Sequence, residues 1–229
     1  MSSLSVTDKP QLKRGMLVEL DYAVLPGHKL LLECCTKRLA KEGVKLDFGL
    51  VARVLAGKTF TSGFNALCEK QGKTVDVPTV ASECQDAFTT ALANSLSEVP
   101  DSFVDFIKQV LSQDIRVVIV SRLPVEDQQK IFGDFTHPDL TLTQDLSTGF
   151  GFFSWSTWRR LAHKFNLCER LTLAVTGSGL SCKNAMICAM GSIARPNELT
   201  DYQDFTGCDR LFKEFSSDLI PGVLSILRV

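Results

Sequence analysis

The sequence contains no C-x-x-C pair, has only three histidines, and has no apolar run near the ~20 residues that cross a bilayer. Each absence excludes something. His28, His137 and His163 are isolated, and Cys34 and Cys35 are adjacent and poorly placed to pair with each other. Cys68, Cys84, Cys168, Cys182, Cys188 and Cys208 are scattered among apolar neighbours, so no metal-ligand spacing or disulfide framework appears. The cysteines read as small buried hydrophobes of a reducing compartment, and a cytoplasmic location is expected. The net charge of -1 and the pI of about 6.3 give no electrostatic reason to bind nucleic acid or an anionic membrane. Residues 1–14 are polar and lack the apolar core of a signal peptide, so they read as a loose tail.

The chain does have an ordinary globular composition, 45% apolar and 22% charged, over 229 residues. That is enough for one large α/β domain, or for a core with an insertion. Apolar runs at 16–20, 117–120 and 171–175 do not alternate, which is the mark of parallel strands buried on both faces. Shorter strands are expected at 140–143, 191–194 and 210–212. Between the first two long runs there are only helical patterns, at 29–42, 47–55, 60–71 and 80–97, with Gly43, Gly57 and Gly72 at or near the ends of the first three. Further helices are expected at 101–112, 157–165, 183–190 and 217–227. A helical block inserted after the first strand of a parallel-sheet core is therefore predicted. The boundaries are 15–27 and 98–229 for the Rossmann-like core, 28–97 for the helical insertion and 1–14 for the tail.

The first strand ends in Glu19-Leu20-Asp21, two carboxylates at i and i+2, where open α/β sheets build their sites. Ser121 follows the second long strand. The third is followed by Thr176-Gly-Ser-Gly-Leu-Ser181, which carries Thr176 and Ser178 into a helix N-terminus. That turn lacks both the P-loop ending and the G-x-G-x-x-G spacing, so a plain strand-to-helix turn is the simpler reading, with weak anion binding by its N–H groups as the alternative.

With these residues in place, the chain resembles the haloacid dehalogenase-like superfamily in its helical-cap subgroup, which includes β-phosphoglucomutase and phosphoglycolate phosphatase relatives. The resemblance covers nearly the whole chain from Gly15 and is best at 99–108, 117–121 and 207–219. Its first motif, roughly F-D-x-D-G-T, aligns with Glu19-Leu20-Asp21-Tyr22-Ala23. The resemblance implies that Glu19 stands at the position of a nucleophile forming an aspartyl-phosphate, and Asp21 at that of the acid/base. The extra methylene of Glu19 moves its oxygen by over ~1 Å, and such a displacement can cost about 100-fold in rate. Tyr22 would fill room that relatives leave for phosphate. Ser121 matches the hydroxyl that holds the phosphoryl group, although a serine there also suits a helix cap.

The remaining motifs depart further. The position of the family's lysine falls on Phe152, which removes a cation facing developing negative charge; Arg159 or Arg160 are the candidates to replace it. The positions of the family's Mg²⁺-binding aspartates fall on Gly177 and Ser181, and no carboxylate follows before Glu198. No metal site is expected, and Mg²⁺ only if the protein is active. The cluster Phe150, Phe152, Phe153, Trp155 and Trp158 reads as packing, with a plugged pocket or a partner surface as alternatives. The expected function is that of a catalytically degenerate hydrolase-like protein acting on a protein partner or a small phosphorylated ligand as a binding or scaffold protein. The alternatives are an atypical phosphatase using Glu19 and Asp21, and a sensor binding a ligand between cap and core without turnover.

Overall fold

A computed structural model describes residues 12–55, 58–147 and 151–228. In chain order the elements are β1 (Lys13–Glu19), a π-helical turn (Leu20–Val24), α1 (Gly27–Ala40), α2 (Phe48–Leu50), a second π turn (Val51–Leu55), α3 (Phe60–Gln71), α4 (Val77–Asn94) and α5 (Asp101–Leu111). Then follow β2 (Arg116–Ser121), α6 (Val125–Phe132), β3 (Leu140–Gln144), α7 (Trp155–Lys164), β4 (Leu167–Thr176), α8 (Gly179–Ile187), β5 (Gly191–Ala194), β6 (Arg210–Leu211) and α9 (Ile220–Ile226). All six strands pair in parallel in the order β3-β2-β1-β4-β5-β6. This is a doubly wound, Rossmann-like sheet, and its strand order reverses beside β1.

The central strands β1, β2 and β4 are buried on both faces toward their C-terminal ends, and their side chains divide cleanly between two cores. Met16 and Val18, Val117 and Ile119, and Leu173 and Val175 pack into the larger core, which reaches α1, α3, α4, α5 and α9. Leu17, Val118, Val120 and Ala174 face the smaller one, with Phe153, Trp158 and Leu161 around α7 and Ala185 from α8. Period-2 alternation therefore survives inside runs that look uniformly apolar. No helix among the described residues is long and apolar enough to cross a membrane.

Helix ends follow their local chemistry. Ser154 caps α7 by accepting from the Thr157 amide at 3.1 Å, and Asp47 caps α2 by accepting from Leu50. Gly72, at φ +61°, ends α3 in the left-handed conformation that glycine adopts at least cost. Sequence periodicity did not indicate α6, a polar helix with only Gln128 and Phe132 buried. The pattern at 47–55 divides into α2 and a π turn rather than one helix. Gly57 and Phe150 lie outside the described residues.

Candidate functional site

The register of the sheet assembles the site. Val18 pairs with Val175 and Glu19 with Val120, so Thr176 stands level with Glu19, and Ser121 lies one residue beyond. Glu19 shares a face with Leu17 and so points toward α8. Its Oε2 accepts from the Thr176 hydroxyl and from the Gly177 amide at 3.3 Å, and its Oε1 accepts from the Ser181 hydroxyl at 3.0 Å. The Ser181 oxygen in turn accepts from the Phe153 amide at 2.7 Å.

Asp21 does not continue the strand at i+2, as the sequence suggested. The backbone leaves β1 at Glu19 and coils into the π turn, closed by the Leu25 amide on the Leu20 carbonyl at 3.0 Å. That coil swings Asp21 toward β2. Its carboxylate accepts from the Ser121 hydroxyl and from the Arg122 amide at 2.9 Å. Ser121 does not cap α6; its oxygen accepts from the Leu123 amide at 3.0 Å and so braces the turn that presents it to Asp21. The coil needs close backbone approach: a Cβ on Gly177 would lie 2.0 Å from the Tyr22 carbonyl oxygen, and one on Gly27 2.0 Å from that of Asp21.

Burial dominates the electrostatics. Glu19 and Asp21 are both enclosed. Loss of water pushes the Glu19 carboxyl up to about 8, against the hydrogen bonds from Thr176, Gly177 and Ser181 and with a smaller push from the Asp21 charge. Asp21 is likewise raised by burial, but only to about 6, because Ser121, the Arg122 amide and the Arg122 charge hold it down. At neutral pH Glu19 is therefore mostly a neutral acid and Asp21 mostly an anion. His28, half-buried between the Gly151 carbonyl at 2.9 Å and the Asn197 amide group at 3.1 Å, is lowered by loss of water to about 4 and is neutral.

The structure brings Glu19, Asp21, Ser121 and Thr176 together. Ser178 sits beside them, but its hydroxyl is committed to the first turn of α8, accepting from the Ser181 amide at 3.2 Å. Neither candidate replacement cation reaches the cluster: Arg160 pairs with Asp145, and Arg159 with Glu169 at 3.3 Å. The cation that is present, Arg122, was not singled out from the sequence. It is fully buried, bonds Gln85 of α4 at 3.1 Å and the Leu146 carbonyl at 3.4 Å, and lies over the Phe60 ring at 5.7 Å. It therefore ties the sheet edge to two helices of the inserted block. Only its place directly after Ser121 could have drawn attention to it.

The Tyr22 ring is tilted by 38° against His28 of α1 (centroids 4.6 Å apart) and nearly parallel to Phe88 of α4 (19°, 6.0 Å), so it packs under the inserted helices. Phe152 is buried on the wall of a cavity shared with His28, Leu31, Phe48 and Tyr202, while Phe153 and Trp158 pack in the smaller core. Trp155 is 47% exposed.

The donor set does not fit Mg²⁺. That ion demands a near-octahedral shell of oxygen ligands and draws on carboxylates. Around Glu19 stand three hydrogen-bond donors, and the β4–α8 turn supplies Gly177 and Ser181 where further carboxylates would be needed. Among the described residues no group of three His, Cys, Asp or Glu could hold a metal ion.

The fold is similar to that of solved phosphatase- and mutase-type proteins, among them a HAD hydrolase of family IA from Entamoeba histolytica, with a TM-score of 0.68 at 14% identity over 94% of this chain and 100% of that one. The chain matches the structure of β-phosphoglucomutase from Clostridium difficile with a TM-score of 0.71 at 10% identity, over 93% of this chain and 98% of that one. It matches CbbY from Rhodobacter sphaeroides, solved in complex with phosphate, with a TM-score of 0.68 at 16% identity, over 95% and 100% of the two chains. A predicted phosphoglycolate phosphatase from Haemophilus somnus gives 0.59 at 13% identity, over 92% and 98%. No protein-family model and no curated protein sequence matches the chain.

Proposed function

We propose that this hydrolase-like fold is catalytically degenerate and works by binding, as a scaffold for a protein partner or a holder of a small phosphorylated ligand. One observation carries the reading: the Glu19 carboxyl is fully enclosed, mostly protonated at neutral pH, and its oxygens are taken up by Thr176, Gly177 and Ser181. A nucleophilic carboxylate needs its charge and an approach path, and Glu19 has neither. The cation that would stabilise developing charge is replaced by the apolar Phe152, and Arg122 is directed at Gln85 and Leu146.

Size does not separate the two binding readings. The cavity walled by Phe152, Ser178, Leu180 and Tyr202 holds about 40 Å³, but the one beside it, between Thr59 of the inserted block and Ser154, Trp155 and Arg160 of the core, holds about 660 Å³. The larger lies within the roughly 300–1,000 Å³ of ligand sites. The division at 28–97 is part of the same proposal, with the Arg122–Gln85 and His28–Asn197 contacts joining the inserted block to the core.

The test is a Mg²⁺-supplemented phosphatase screen over small phosphorylated metabolites, with wild type beside Glu19→Ala and Asp21→Asn. The expected result is phosphate release by the wild type no greater than by either variant. Robust turnover abolished by both substitutions would overturn the proposal in favour of an atypical phosphatase using Glu19 and Asp21.

A further inference from the structure

Behind the Glu19 carboxyl, on the first turn of α8, two cysteines distant in sequence meet. Cys182 is a buried residue of that helix, and Cys208 is half-buried in the connection from β5 to β6, flanked by exposed residues. Their sulfurs are 3.6 Å apart, with the Cys182 thiol donating to Cys208. The Cys208 sulfur also touches the Ser192 and Arg210 carbonyl oxygens at 3.3 Å each, which fixes it at the mouth of the β5–β6 pair. The connection packs directly on α8: a Cβ on Gly207 would lie 2.3 Å from the Met186 methyl.

We propose that Cys182 and Cys208 are a redox-sensitive dithiol site that closes to an intramolecular disulfide when it meets a low-molecular-weight disulfide of the glutathione type. A bond of ~2.05 Å requires the sulfurs to approach by about 1.5 Å, a displacement that Gly207, already at φ +89°, is suited to absorb. The hydrogen bond from Cys182 holds the Cys208 thiol down at about 7, so the half-exposed sulfur is also the more nucleophilic one.

The chemistry balances in two exchanges. The Cys208 thiolate attacks one sulfur of the external disulfide. A mixed disulfide forms, the external S–S bond breaks, and one thiolate leaves and takes up the Cys182 proton. The Cys182 thiolate then attacks the Cys208 sulfur, forming the internal bond and expelling the second external thiolate, which is protonated from water. Two protein thiols are oxidised, and one external disulfide is reduced to two thiols.

A second close pair, Cys35 of α1 and Cys84 of α4, supplies the contrast. The two are joined by a thiol hydrogen bond, but both are buried, so a bulky oxidant has no route to either.

The experiment is to treat the native, reduced wild-type chain with oxidised glutathione, quench with acid, alkylate the remaining thiols in denaturant, and map the peptides by mass. The expected result is six alkylated cysteines of the eight and one cross-linked peptide joining 182 to 208. Closing this loop should raise the Tm by roughly 5–10 °C. In Cys208→Ser, eight minus the one replaced thiols should remain alkylatable; in Cys182→Ser, Cys208 should stop at a stable glutathione adduct. All eight thiols remaining free in the wild type, a cross-link between any other pair, or a permanent adduct on wild-type Cys208 would each overturn the proposal.

Discussion

Glu19 and Asp21 are two residues apart, equally buried, and differently charged. On the Asp21 side, an ionised carboxylate meets a serine hydroxyl, a backbone amide and the field of Arg122. On the Glu19 side, two hydroxyls and one amide face a carboxyl that keeps its proton, with no cation contributing. The number of hydrogen bonds does not separate them, since Glu19 has more. What separates them is how far burial is opposed: at Asp21 the Ser121 hydroxyl, the Arg122 amide and, least, the Arg122 charge all pull down, whereas at Glu19 burial outweighs its three donors and the Asp21 charge adds to it. A phosphotransfer centre needs its charge on the nucleophile side; here the charge sits on the other.

The contrast can be broken most forcefully by deletion. Asp21→Ala removes the charged acceptor of the Ser121 hydroxyl and the Arg122 amide, two bonds of about 1.5–3 kcal/mol each, and should cost about 3–5 kcal/mol at pH 7. Glu19→Ala removes a neutral acid whose hydroxyl neighbours can turn to each other, and should cost about 2–3 kcal/mol. Urea unfolding of both variants measures the order, and a larger loss at Glu19 would mean that it carries the charge.

Next in size is the pH dependence. Both carboxyls are raised in the folded state, so the folded chain retains protons that the unfolded chain has released. Their stabilisation is complete at low pH and is lost as pH rises from the ordinary carboxyl range to about 6 for Asp21 and to about 8 for Glu19. Between pH 6 and 8 Glu19 is the carboxyl with most of its proton still to lose, so its contribution should fall by on the order of 2 kcal/mol over that span. Glu19→Gln should flatten the slope and Asp21→Asn should keep it; thermal melts at pH 6, 7 and 8 decide.

The finest contrast is at the hydroxyls. Ser121→Ala removes a bond to a charged acceptor and should cost about 1.5–3 kcal/mol, against about 0.5–1.5 kcal/mol for Thr176→Val beside the neutral acid. Equal losses would erase the distinction between the two sides.

Much of this was legible in the chain. The non-alternating runs located the buried strands, and the terminal Ser and Thr of β2 and β4 placed Ser121 and Thr176 beside the acids, because parallel strands end together on one edge. The π turn was not legible, since five residues coiled at a strand end leave no periodicity, and so the divergence of Asp21 from Glu19 was missed. Ser181 was noticed as a missing carboxylate, but its bond to Glu19 depends on α8 packing, which is a tertiary fact. Helix α6 was missed for the opposite reason: it buries too little to leave an apolar stripe.

The ring of donors around Glu19 has a thermodynamic consequence. A protein whose pocket waits for an anion or a metal gains RT ln(1 + [L]/Kd) of stability when it is supplied. In this chain Thr176, Gly177 and Ser181 hold an internal carboxyl in that place at an effectively fixed concentration, whatever the solution contains. Its melting temperature should therefore be indifferent to added inorganic phosphate and Mg²⁺: the chain carries its own guest, and that guest does not dissociate.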